Sequence, residues 1–332
     1  MATQNNQPVT IVMYHYVRDL TRTRYPRIRG LTTQKFEGQL DYIAKHYTVV
    51  GLQKLFSDLQ NGIPLPTNPC VLSFDDGLAD HYHTVFPRLA ERGIVGSFYP
   101  PAKAPETCQV LDVHKVHFIL ASSENAQQLV GEIFGLLQHF RKEHEIPSDE
   151  ELYERYARRN RFDPPEIIFI KRILQRGLPE NVRREVVSRL FAHHVSNDEK
   201  AFAKELYMDP SQLRVMLAAG MEVGGHGYDH VWLGTLDRNG QREEIFRTVS
   251  FLTKVLDINP INWAMSYPYG SYNSITIELL KEAGCALGLT SQVGLAKLSK
   301  PMHLSRLDTN DLPFSGDAPV SGWTKRINPY SP

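Results

Sequence analysis

The chain has 332 residues, more than one typical core requires, which leaves two domains or one large α/β barrel carrying an insertion. Its 37 basic residues balance its 37 acidic ones, so no bulk field draws it to nucleic acid or to an anionic membrane. With 42% apolar and 22% charged residues it reads as an ordinary soluble globular protein, and no apolar run approaches a bilayer span.

The start, MATQNNQPVTIVMYHYV, lacks the basic region and the long apolar region of a signal peptide, so none is expected. Within it VTIVMY (9–14) predicts a first strand, with His15 at its end. TTQKFEGQLDYIAKH (32–46) predicts an amphipathic helix, YTVV (47–50) a second strand and CVLSF (70–74) a third, which runs into Asp75 and Asp76. GSFY (96–99) predicts a fourth. From about 102 to 205 the rhythm breaks into charged runs of helical period, such as DEELYERYARRNRF and LPENVRREVVSRLFAHH. This stretch is read as a helical insertion, 102–205, within a single domain spanning 1–332. It is expected to cap or flank a cleft, or to form a subunit contact between copies of the chain.

Beyond it, SQLRVMLAAG (211–220) and NSITIELLKEAG (273–284) predict helices, with Ser211 and Asn273 as N-caps and a glycine at each end. MEVGG (221–225), NWAMSY (262–267) and ALGLT (286–290) predict further strands, and the tail SGDAPVSGWTKRINPYSP reads as loop. Short apolar strands separated by helices imply a parallel sheet or a closed barrel. Cys70, Cys108 and Cys285 are far apart, odd in number and without a C-x-x-C. They read as buried thiols in a reducing compartment, so a cytoplasmic enzyme is expected.

Three segments carry chemistry. In SFDDG (73–77) two adjacent carboxylates follow a strand, where neighbouring side chains normally face opposite ways. If both enter one cleft, a cation or a shared proton must offset them. In GGHGYDHVWLG, His226 and His230 are four apart, and on a helix or in a tight loop both rings can converge on one ion. Gly227 stands where H-E-x-x-H would have its glutamate. In AMSYPYGSYN (264–273), Pro268 and Gly270 build a turn that can aim the Tyr269 N–H into a cleft as an oxyanion donor. Taken singly, each has a bland reading as a turn or a coincidence of spacing. Taken together, two histidines and one carboxylate form a three-ligand set with open positions, and the second carboxylate is left to act as a base. Each segment follows a predicted strand, and in a parallel barrel the C-terminal strand ends share one face.

These residues resemble the polysaccharide deacetylases with a NodB-homology domain, carbohydrate esterase family 4. SFDDG is similar to the family's T-F-D-D-G, HGYDH (226–230) to H-[ST]-x-x-H, and SYPYG (266–270) to R-x-P-Y. The resemblance covers roughly 8–100 and 206–310. It implies a distorted, incomplete (β/α) barrel, with Asp75 as catalytic base and Asp76, His226 and His230 as metal ligands. It further implies that the Tyr269 N–H steadies an oxyanion beside Pro268, and it lends His15 a role in the site. Zinc would be the usual metal, with cobalt or nickel as substitutes, and the usual reaction removes an N-acetyl group from an amino sugar.

The chain also departs from the family pattern. Gly227 replaces a loop-bracing Ser or Thr, so the loop must be held otherwise. Ser266, short and uncharged, replaces the Arg that orients the base, and a D-x-x-D-W segment has no counterpart. The late L-x-H is approximated by PMHLSRLDTND (301–311), where His303 is the expected general acid. Arg306 in the same segment is expected to pair with Asp75 in place of the missing arginine. The expected function is a metal-dependent amide hydrolase acting on an acylated amino sugar, a glycan or a glycan precursor. The rivals are a deformylase or other C–N hydrolase on this fold, and a catalytically silent glycan- or partner-binding protein.

Overall fold

The computed structural model describes residues 7–159 and 163–327. Residues 1–6 of the start, 160–162 of DEELYERYARRNRF and 328–332 of the tail lie outside the described residues. The chain divides into two compact units, one made of Met1–Asp19, Gly30–Cys108 and Lys204–Pro332, the other of Leu20–Arg29 and Gln109–Ala203.

The first unit is built on strands β1 (Pro8–Tyr14), β2 (Thr48–Val49), β3 (Pro69–Asp75), β4 (Gly96–Tyr99), β5 (Glu222–Val223), β6 (Trp263–Ser266), β7 (Cys285–Val293), β8 (Ala296–Lys297) and β9 (Leu304–Asp308). Their order is β5-β4-β3-β1-β9-β7-β6, every pair on that path parallel, with β2 parallel to β3 and β8 antiparallel to β1. The two ends of the path meet just past β5. There Gly225 bridges Met265, its N–H donating to the Ala264 carbonyl at 2.9 Å while Ser266 N–H donates to Gly225 O at 2.9 Å. The sheet thus curls on itself as the distorted (β/α) barrel of the NodB type.

Strand alternation sets what faces where. On β1 and β3, Val12, Tyr14, Leu72 and Phe74 pack with Phe36 and Leu40 of the helix Thr33–His46. Tyr14, Phe74 and Phe98 stack in series with centroids 4.9 and 4.8 Å apart, each contact worth about 0.5–1.5 kcal/mol beyond area burial. The other row, Val9, Ile11 and Val71, packs with Ala264, Leu287, Leu289 and Leu304 in a separate buried cluster. Ser73 and Asp75 continue that second row toward the strand end, which aims Asp75 into the barrel.

Four expectations are corrected. β9, which carries Arg306, was read as a segment without a strand, yet it fills the place between β1 and β7. The N-cap at 210–218 is Asp209, not Ser211: Asp209 accepts from Ser211 and Gln212 N–H, and Pro210 occupies the first helical position, where its missing N–H costs nothing. The tail is not all loop, because Gly322–Ile327 is helical and buried Thr324 hydrogen-bonds Tyr42 and Tyr47 at 2.8 and 2.7 Å. Cys70 and Cys285 are buried thiols, whereas Cys108 is only half-buried.

The second unit is helical, with Asp112–Ser122, Ala126–Leu137, Asp149–Tyr156, Pro165–Arg176 and Glu180–His194. Val116, Ile119, Leu129, Ile133, Phe169, Ile173, Val187 and Phe191 are buried. Exposed Glu180–Arg184 and Glu185–Arg189 pairs at helical spacing lie on solvated faces. A capping box of Ser148 and Glu151 starts Asp149–Tyr156. The stretch Leu20–Arg29 also belongs to this unit.

Candidate active site

Three turns at the ends of barrel strands hold the candidate site residues, and each contains a non-glycine residue at positive φ. Asp75 ends β3, and the chain then turns left-handed at Asp76 (φ 77) and Gly77 (φ 64). That turn brings two adjacent carboxylates into one cleft, because Asp76 has left the strand whose alternation would send it away. Gly77 has no substitute here: a Cβ would lie 2.7 Å from Pro100 as well as at an unfavourable φ. His230 (φ 51) closes the turn after β5, and Tyr269 (φ 56) sits in the turn after β6. Each such residue stores roughly 1–3 kcal/mol of strain and persists only where its surroundings over-determine it.

His226, His230 and Asp76 are all buried. Asp76 Oδ1 lies 3.4 Å from His226 Nε2 and 3.4 Å from His230 Nε2. That is longer than an N–H···O bond, and it is about the separation of two donors sharing one tetrahedral ion at 2.0–2.2 Å. Tautomer chemistry points the same way. His226 Nδ1 is 2.7 Å from the Ser266 carbonyl, which can only accept, so Nδ1 carries a proton and, when the ring is neutral, the lone pair of Nε2 faces Asp76. Two electron-pair donors facing each other in a buried place call for a cation between them. The residues present therefore fit a divalent metal ion.

Burial pushes His226 down, but the Asp75 and Asp76 charges and the Ser266 carbonyl more than offset that and leave it raised. The field at this ring favours positive charge.

Asp75 is held differently. Its Oδ2 accepts from Arg306 Nη1 at 2.8 Å and from the Ser266 hydroxyl at 3.1 Å, while Oδ1 is buried with no hydrogen-bond partner among the described residues. Arg306 is buried too, its Nε donating to the Thr290 carbonyl at 2.9 Å. Burial alone would raise the Asp75 carboxyl. Arg306, then His226 and His15, outweigh it and hold the group below the usual carboxylate range. The two acids thus differ in environment: one is paired with a guanidinium, the other faces two imidazoles.

The remaining expected residues are placed as follows. The Tyr269 ring stacks on Trp232 (4.4 Å, 6°) and meets His230 edge-on at 4.6 Å, so the turn after β6 touches a histidine directly. Pro268 is buried, and its Cγ is 3.3 Å from where a Cβ of Gly227 would lie. His15 is half-buried, close enough for its charge to act on Asp75. His303 is exposed, and its Nδ1 hydrogen-bonds the Tyr272 hydroxyl at 2.9 Å. The sequence reading missed Ser266, judged too short to matter: its hydroxyl reaches Asp75 and its carbonyl fixes His226. Trp232 was also missed, though it is in the quoted stretch HVWLG.

The curled parallel barrel is the fold of the NodB-type deacetylases. The family model described as "Polysaccharide deacetylase" matches residues 183–288, less than half of the chain but including both histidines and the Pro268–Tyr269 turn. Among solved structures, a Streptococcus pyogenes deacetylase, PplD, in complex with acetate is 15% identical with a TM-score of 0.58, over 94% of this chain and 96% of that one. A de-N-acetylase from Aggregatibacter actinomycetemcomitans is 15% identical with a TM-score of 0.55 over 96% and 99% of the two chains. IcaB from Ammonifex degensii is 18% identical with a TM-score of 0.53 over 91% of each. No curated protein matches the sequence. The resemblance to the polysaccharide deacetylases rests on this match together with the fold. No helix among the described residues is long and apolar enough to cross a membrane.

Proposed function

We infer that the chain is a metal-dependent N-deacetylase acting on an acylated amino sugar of a glycan or glycan precursor. One observation carries this reading: two carboxylates share one cleft, one locked to a buried guanidinium and the other spaced for an ion with two imidazoles. Asp76, His226 and His230 would hold a divalent ion, zinc by donor type, with cobalt or nickel as substitutes. Such an ion supplies Lewis acidity to an acyl oxygen and lowers the pKa of a water.

The chain's own residues supply the rest. Asp75 Oδ1 takes the proton of the attacking water, while Arg306 and Ser266 fix the carboxylate through Oδ2. Arg306 also keeps Asp75 ionised near neutral pH. The Tyr269 N–H steadies the developing oxyanion. The amine leaves as the C–N bond breaks, and it takes a proton from a general acid, the role expected of His303, whose Nδ1 hydrogen-bonds the Tyr272 hydroxyl. The three free thiols suit a reducing, cytoplasmic setting.

The rival deformylase reading keeps the same machinery and differs only in the acyl pocket. A matched panel of N-acetyl and N-formyl amino sugars separates the two: acetate release from the first set supports the deacetylase, and turnover confined to the second replaces it. A protein inert to both sets, yet retaining glycan, would be the silent binder.

A further inference from the structure

The loop that carries both histidines has a glycine, Gly227, directly after the first of them, and so no side chain at that position to brace it. Between His226 and His230 stand Gly227, Tyr228 and Asp229, and the turn runs through positive φ at Gly227 (73) and again at His230 (51). Successive N–H groups in such a turn converge on one point and form a concavity for an anion. Here that point is filled from another element. Glu244, on the helix Arg238–Ser250, places Oε2 2.9 Å from Tyr228 N and 3.1 Å from Asp229 N.

The same oxygen lies 3.4 Å from where a Cβ of residue 227 would project, so it occupies the space beside the glycine that a short side chain there would claim. One turn along the helix, the Arg247 guanidinium lies 3.4 Å from the centre of the Tyr228 ring. From the segment after β4, Ala102 and Lys103 N–H donate to the Gly227 and Tyr228 carbonyls at 3.1 and 3.0 Å, and Lys103 Nζ pairs with Asp229 at 2.8 Å.

We propose that Glu244 is a positioning residue for the metal ligands, a carboxylate brace whose one oxygen caps both central amides of the histidine loop and so sets the separation of the two imidazoles. Among the described residues its hydrogen bonds go to the two backbone amides and to neither ring. It acts through the backbone that joins His226 to His230, and strain at His230 makes that backbone dependent on outside support. Charge-assisted bonds to two buried-side amides are stronger than neutral ones, so a single helical residue suffices. The proposal rests on the reading of Asp76, His226 and His230 as the ligand set.

The test uses the full chain with Glu244→Ala, Glu244→Asp and Glu244→Gln. Hydrogen exchange of the metal-free protein reads the brace alone: the Tyr228 and Asp229 amides should lose protection in Glu244→Ala and keep it in Glu244→Gln, whose amide oxygen can still accept both. Zinc and cobalt affinity read its consequence. Glu244→Ala and the shorter Glu244→Asp should bind about 10–100-fold more weakly than the native protein, with an altered cobalt spectrum, and Glu244→Gln within a few-fold of it. If Glu244→Ala does not fold, Glu244→Asp decides. Native exchange and native affinity in Glu244→Asp, or in a folded Glu244→Ala, overturn the proposal. A native protein that binds neither ion overturns the ligand set instead, and with it the role of the brace, even if the amide protection behaves as expected.

Discussion

The barrel and the helical unit each contain one carboxylate and two imidazoles within reach of a common ion: Asp76, His226 and His230 in the first, Glu132, His193 and His194 in the second. By donor type the two groups are the same. They differ in spacing and burial. In the helical unit His194 Nε2 is 2.6 Å from Glu132 Oε2, a hydrogen-bond distance with the proton lying between them, and His193 is exposed. In the barrel both nitrogens stand 3.4 Å from the carboxylate, every member is buried, and His226 has its proton fixed on the far side of the ring by Ser266. The two groups therefore differ less in which residues meet than in the spacing and burial of their donor atoms.

The largest effect expected from this contrast is total. His226→Ala should abolish metal binding and activity, while His193→Ala leaves both unchanged; metal analysis of the two purified variants checks it, and metal retained by His226→Ala would erase the distinction. Asp75→Asn should keep the metal and lose about 10²–10⁴-fold in kcat, the range of general base catalysis. Loss of metal with the rate would mean that the two aspartates have exchanged roles.

Arg306→Ala probes the second difference between the barrel acids. Removing one member of a buried ion pair should cost about 3–5 kcal/mol in a denaturant melt, because it strands the other charge. The sign with pH follows from Asp75 lying below its ordinary range in the fold. Its contribution to stability is present above the unfolded carboxylate pKa and is lost as pH falls through the lower folded value. Without Arg306 the folded pKa rises, so the acid limb of the pH–rate profile should move to higher pH. An unmoved limb would show that Asp75 is tuned by another group. The smallest effect belongs to the helical unit: Glu132→Gln should change the melt by about 0–1 kcal/mol, as a half-exposed ion pair does, with metal content unaltered.

Much of this site can be read from short segments. Asp75, Asp76, His226 and His230 stand in tight motifs behind predicted strands, and local patterning placed those strands within a residue or two. What escaped depends on distant parts of the chain. β9 is a five-residue strand, LSRLD, whose pairing with β1 spans most of the sequence, so only the fold shows why Arg306 points at Asp75. Ser266 looked too short to replace an arginine because its reach depends on β6 closing beside β5, a contact that no periodicity signals. Glu244 lies fourteen residues past His230 on a helix whose surface pattern is unremarkable in sequence. Asp209 was legible and misread: an acid followed by proline is a helix start, and it outranks the serine two residues later.

The most direct measurement of the central claim is acetate release from an N-acetyl amino-sugar oligomer by chelator-stripped protein, titrated with zinc. The account predicts no release from the stripped chain and full recovery at one ion per chain, with no recovery in His226→Ala. Release that persists in the stripped protein, or that returns equally in His226→Ala, would contradict it.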